Sequence, residues 1–138
     1  MINFQSMSKI SGDAYQDVVK LDLEDKGYTN IDKDVYILDT GCEVDFVAQN
    51  PHLGTIYVEC KGGYNGDKKR PGAKRTDNVK KSIANAALIK ALYPNYYYVI
   101  YFSSKPKEGS YSEQMLNVAL KFGIVNEVIY LAYNGKEL

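Results

Sequence analysis

The chain has 138 residues, 45% of them hydrophobic, so one compact domain with a single core is expected rather than two. Basic and acidic residues number 17 each, so the formal net charge of zero excludes a uniformly basic or acidic surface. Two cysteines, Cys42 and Cys60, and one histidine, His52, exclude a disulfide framework and a His/Cys zinc cluster. No stretch approaches the roughly 18 consecutive apolar residues of a membrane span, and "MINFQSMSKISGD" lacks the apolar run of a secretory signal. The expected compartment is the cytoplasm, with both thiols reduced and acting as small apolar residues.

Taken in chain order, residues 8–27 are predicted helical, because Tyr15, Val18, Val19 and Leu23 recur at helical spacing and Gly27 sits at the C-terminal cap. "VYIL" (35–38) reads as a short strand. "EVDFVAQ" (43–49) and "TIYVECK" (55–61) alternate polar with apolar residues around the turn "NPHLG", which predicts a hairpin with His52 in its turn. The run "GGYNGDKKRPGAKR" (62–75) has no periodicity and is expected to be a mobile loop. Thr76 or Asp77 can cap a second helix carrying Val79, Ile83, Ala86 and Ile89 on one face and ending near Pro94. "YYYVIYF" (96–102) predicts a strand covered on both faces. Ser110 and Glu113 form a capping-box pattern before a helix through Met115, Val118, Ala119 and Phe122, with Gly123 past its end. "EVIYLAY" (127–133) is the last strand, and the whole, residues 1–138, reads as one α/β domain of order α-β-β-β-α-β-α-β.

Strand periodicity puts Glu43, Asp45 and Val47 on one face and Val44, Phe46 and Ala48 on the other; Tyr57, Glu59 and Lys61 oppose Ile56, Val58 and Cys60 in the same way. Bringing the apolar sets together pairs Phe46 with Val58 and Val44 with Cys60, and places Asp45 opposite Glu59. Opposed carboxylates repel unless a cation lies between them, and hard oxygen donors suit Mg²⁺, with Mn²⁺ as substitute. Lys61 points to the same side and can hold a phosphate oxygen or a water beside that cation.

The neutral total hides a strong asymmetry. Residues 61–81 carry eight basic residues against Asp67 and Asp77, about +6, leaving about −6 for the remainder. A bare Glu-x-Lys at a strand end is ordinarily an exposed salt-bridged edge. Asp45 in register, the glycines 62 and 63 and the basic loop together favour phosphodiester chemistry on a nucleic acid instead.

The combination of Asp45, a hairpin and then Glu59-Cys60-Lys61 resembles the PD-(D/E)XK nucleases, the fold of restriction endonucleases and Holliday-junction resolvases. "Val-Asp" stands where that family has a loosely kept "Pro-Asp". The resemblance spans residues 11–102 and implies a restriction-endonuclease-like core, a central mixed β-sheet flanked by helices. It also implies catalytic roles for Asp45, Glu59, Lys61 and Gln16, with Asp17 the neighbouring alternative to Gln16 in "GDAYQDVV". Metal ligation would fall to Asp45, Glu59 and the Cys60 carbonyl. Helix-borne basic residues that often contact phosphate in the family have Arg75, Lys80 and Lys81 as candidates.

The full set expected at DNA is Tyr64, Lys68, Lys69, Arg70, Lys74, Arg75, Lys80 and Lys81. The function implied is an Mg²⁺-dependent endonuclease acting on duplex DNA, sequence-recognising in the restriction or homing manner. A structure-selective junction resolvase and a non-catalytic DNA-binding domain are the alternatives. Because two antiparallel strands need two active sites, a homodimer or higher symmetric assembly is expected, with the tyrosine-rich strands 96–101 and 128–133 offered as its interface.

Overall fold

The computed structural model describes residues 4–63 and 72–138. Helix α1 (Phe4–Asp25) lays Ala14, Tyr15, Val19 and Leu23 along one buried stripe. It closes with Tyr28 N–H donating to Leu23 O and Gly27 N–H to Glu24 O, each at 3.0 Å, with Gly27 in the left-handed region at φ +88°. This pair of bonds satisfies carbonyls that the helix end would otherwise orphan.

Strands β1 (Thr29–Ile37), β2 (Cys42–Asn50) and β3 (Gly54–Lys61) form an antiparallel meander. Helices α2 (Thr76–Leu92) and α3 (Tyr111–Lys121) carry the chain over to β4 (Tyr97–Phe102) and β5 (Glu127–Tyr130), each parallel to its predecessor. The result is an α/β fold with a five-stranded mixed sheet in the order β1-β2-β3-β4-β5. No helix among the described residues is long and apolar enough to cross a membrane.

The sheet separates two apolar layers. Tyr98, Ile100 and Phe102 of β4 pack with Val79, Ala86 and Ile89 of α2 and Leu116 and Ala119 of α3. The alternate residues Val99 and Tyr101 pack with Tyr15, Val19 and Leu23 of α1. Strand β4 is therefore covered on both faces, as its unbroken apolar run predicts.

That coverage removes Tyr98 and Tyr101 of strand 96–101 from the expected interface, because both are fully buried, whereas the other strand offered for it, 128–133, is mostly half-buried. Strand β1 begins well before "VYIL": it lies at the sheet edge with most of its residues exposed, so no alternation marks residues 29–34. Its register also shifts between Thr29 and Asp32, and Asn30 and Asp34 take positive φ. Strand β5 is shorter than the apolar run 127–133, because the chain turns back after Tyr130 and Leu138 N–H bonds Tyr130 O at 2.9 Å.

Neither Thr76 nor Asp77 caps α2; Arg75 occupies the N-cap position without a side-chain bond, since the chain enters directly from a 3-10 turn at Gly72–Lys74. The Ser110 cap of α3 forms, its Oγ accepting Glu113 N–H at 3.3 Å, but Glu113 reaches back to Gly109 N–H rather than to Ser110. Residues 64–71, the body of the segment expected to be mobile, lie outside the described residues. Its described end is a buried turn: Gly72 and Ala73 are inaccessible, and Gly72 N–H donates to Gly62 O at 3.4 Å.

Gly72 has φ +53°, and a Cβ there would sit 2.7 Å from Ser104 N, whereas Gly135 has φ +84° with open space around it. Gly72→Ala is expected to cost roughly 2–4 kcal/mol, from the left-handed backbone plus overpacking. Gly135→Ala should cost only about 1–2 kcal/mol, from the backbone alone. Urea midpoints at constant m-value measure the difference; equal losses would refute the steric account.

Candidate active site

The β2–β3 turn is shaped by Asn50, whose Oδ1 accepts the N–H groups of His52 and Leu53 at 2.8 and 2.9 Å. From it the ladder runs with Asn50↔Gly54, Ala48↔Ile56 and Phe46↔Val58 in register, the offset expected from parity. There it stops. The expected pairs Val44 with Cys60 and Asp45 with Glu59 do not form, because β3 stays with β4 as far as Lys61↔Phe102 while β2 stays with β1 through Val35↔Val44 and Ile37↔Cys42. The single apolar face expected for Val44, Phe46 and Ala48 is likewise divided: Cys42 and Val44 join the α2/α3 layer, and Phe46 and Ala48 the α1 layer.

The divergence leaves the β2-facing edge of β3 without a backbone partner, and Asp45 fills the gap. Its Oδ2 accepts Cys60 N–H at 2.6 Å, and its Oδ1 accepts Gln16 Nε2 from α1 at 2.6 Å. The same Gln16 amide lies 3.5 Å from Asp34 Oδ1 on β1. Asp34 falls between the pairs Lys33↔Phe46 and Val35↔Val44, level with Asp45. Sequence reasoning passed over Asp34 because β1 shows no alternation.

Glu59 approaches from the opposite layer. Only 3% exposed, it accepts a 2.7 Å bond from Asn85 Nδ2 of α2 on Oε1 and faces Lys61 Nζ at 3.9 Å with Oε2, an ion pair too long for a hydrogen bond. Tyr98 Oη, also buried, makes no hydrogen bond of normal geometry, and its main charged neighbour is the Glu59 carboxylate. Asn85 escaped sequence reasoning, yet Asn78, Ser82 and Asn85 form a polar stripe beside the apolar face of α2 that signals buried hydrogen bonding.

Burial decides the electrostatics. It raises the Asp45 pKa above its ordinary value, although Cys60 N–H, the Gln16 amide and the Lys61 charge pull the other way. Burial likewise raises Glu59 against the bond from Asn85 and the charge of Lys61, with Asp45 adding to the rise. Cys60 is half-buried and packs on the α1 layer, and burial followed by the two flanking carboxylates pushes its thiol well up, so it stays neutral.

Carboxylates that burial holds above their ordinary pKa gain from a cation, and the donors here are hard oxygens. The Cys60 carbonyl points to the same edge of β3 as the N–H that binds Asp45, so it faces the same gap. This set fits Mg²⁺ or Mn²⁺ and not a soft metal.

The structure thus brings Gln16, Asp45, Glu59, Cys60 and Lys61 together. Asp17, the alternative to Gln16, is exposed on the outward side of α1. Lys74, Arg75, Lys80 and Lys81 are exposed around the start of α2, and none bonds to the carboxylates. Tyr64, Lys68, Lys69 and Arg70 lie outside the described residues. Comparison of the chain with protein-family models, with curated proteins and with solved structures finds no match.

The raised pKa of Glu59 fixes a sign. Its folded form binds a proton more tightly than its unfolded form, so its contribution is most favourable below the unfolded carboxylate pKa and is lost as pH rises through the folded value. Glu59→Gln is therefore expected to be more stable than wild type in EDTA at pH 8, the gap closing as pH falls to 4. Thermal melts across that range measure it; a gap that widens on acidification contradicts the assignment.

Proposed function

We propose that the chain is a metal-dependent deoxyribonuclease with a restriction-endonuclease-like core, hydrolysing phosphodiester bonds of duplex DNA. The observation that carries this reading is the convergence of a buried carboxylate, Glu59, a half-buried one, Asp45, and a lysine where β2 and β3 part, each carboxylate held from a different layer. A structural salt bridge needs neither the second carboxylate nor its burial, since surface pairs contribute little and buried charges cost stability.

Asp45, Glu59 and the Cys60 carbonyl are the groups that would hold Mg²⁺ or Mn²⁺. When bound, the ion supplies Lewis acidity at a phosphate oxygen and a water of lowered pKa. Lys61, partly exposed beside Glu59, holds a non-bridging phosphate oxygen and orients the attacking water. Gln16 and Asn85 keep the two carboxylates in place from α1 and α2. The apolar layers beneath them restrict water on the protein side of the gap. Sequence readout by loops around this edge and a homodimer supplying one site per strand complete the proposal.

Supercoiled plasmid, linear genomic DNA and a synthetic four-way junction, each incubated with Mg²⁺, Mn²⁺ or EDTA, test the reading. Cleavage of duplex should require the metal and fall by about 100-fold or more in Glu59→Ala and in Lys61→Ala. Discrete bands report sequence recognition. Symmetric nicks confined to the junction would instead select the resolvase reading, and undiminished cutting by both variants would sink the site.

A further inference from the structure

Between the start of α2 and the segment that joins β4 to α3 lies a cleft of about 970 Å³ lined by Lys74, Thr76, Lys105, Lys107, Ser110 and Tyr111. A neighbouring cleft of about 500 Å³ shares Lys74 and Lys105 and runs on past Ser103 to Asn134. The two form one groove, and no acidic side chain among the described residues lines either part, although Leu138 with its terminal carboxylate lines the smaller one. Lys74, Lys105 and Lys107 are exposed, and none of them takes part in an ion pair among the described residues.

The groove is tied directly to the candidate active site. Ser103 N–H donates to Lys61 O at 3.1 Å, Ser103 Oγ to Gly63 O at 3.2 Å, and Ala73 N–H to Ser104 O at 3.3 Å. Its floor therefore begins on the residue that carries the candidate catalytic ammonium. Its walls are small: Gly109, Ser110 and Ser112 line it, and a backbone of phosphates and sugars can approach closely. Tyr111, 78% exposed, stands among the same residues.

In a chain of zero net charge, three lysines from two distant segments meet in one cleft without an acidic side chain on its walls. Such a site repels cations and fits a polyanion whose charges recur along a line. We infer that this groove takes the DNA backbone on the side of the cleaved bond toward α3, with Lys105 and Lys107 as phosphate contacts additional to the basic segment at 61–81. The inference rests on the nuclease reading for its substrate class and concerns binding rather than hydrolysis.

Fluorescence anisotropy with a labelled 20-base-pair duplex in Ca²⁺, from about 50 to 200 mM salt, tests it. The Lys105→Ala/Lys107→Ala double variant should bind roughly 5- to 30-fold more weakly, alike on two duplexes of unrelated sequence, and its log–log salt slope should fall by about 2. Lys20→Ala/Lys121→Ala, equal in charge change but away from the groove, should bind like wild type. A Lys105/Lys107 variant with wild-type affinity and slope overturns the groove while leaving the nuclease reading intact. Equal weakening in both double variants also overturns it, as a mere effect of net charge. Wild type that binds duplex but cuts none under Mg²⁺ or Mn²⁺ sinks the hydrolytic reading and keeps the groove, and wild type that does not bind duplex overturns the groove.

Discussion

The bond between Cys60 N–H and the Asp45 carboxylate is the contact on which the candidate site depends. Strand β3 is central, and the backbone groups of a central strand must be paired. Once β2 leaves, an unpaired donor at Cys60 would cost about 1–3 kcal/mol. A carboxylate supplies the missing acceptor at 2.6 Å and is thereby fixed by the backbone of the neighbouring strand rather than by its own rotamer preference. Closing the gap in this way buries the charge, and burial outweighs the hydrogen bonds in setting its pKa. The same interaction that completes the sheet leaves a carboxylate short of positive charge.

Two helices on opposite sides of the sheet share the task of holding the acidic groups. Gln16 reaches Asp45 from a helix whose seating is set by its neighbour Tyr15, fully buried and donating its hydroxyl to Leu131 O at 2.9 Å. Asn85 reaches Glu59 from a helix seated by Val79, Ala86 and Ile89. Neither carboxylate is positioned by its own strand alone. A packing change in either apolar layer is transmitted to one acid and not the other, which makes their relative placement a property of the whole domain.

Much of this was legible in residue patterns, for identifiable reasons. Alternation marked β2 and β3, an unbroken apolar run marked β4, and parity with the turn around His52 set the register as far as Phe46 and Val58. The point at which the ladder ends was not legible, because local periodicity carries no information about which neighbour a strand follows when two compete. Strand β1 was missed in its first half since an exposed edge needs no apolar face. Asn85 reaches Glu59 only through the crossover that brings α2 and β4 beside β3, so its relevance lies in topology and not in spacing. Asp45, Glu59 and Lys61, by contrast, lie within one hairpin, so their nearness was legible in the sequence although the direct pairing of Asp45 with Glu59 was not.

The bond between Gly72 and Gly62 has a further consequence. The basic segment leaves the sheet and returns to it at a single closed junction, so its two ends are held together by the fold and not by the segment itself. Loop-closure entropy then depends only weakly on what lies between, about 0.6 kcal/mol for each doubling of length. Gly63 belongs to the anchored part as well, its N–H donating to Tyr133 Oη at 3.1 Å and its carbonyl accepting from Ser103 Oγ at 3.2 Å. The ends of that segment are thereby anchored, at Gly62 and Gly72, to the same frame that holds Asp45 and Glu59.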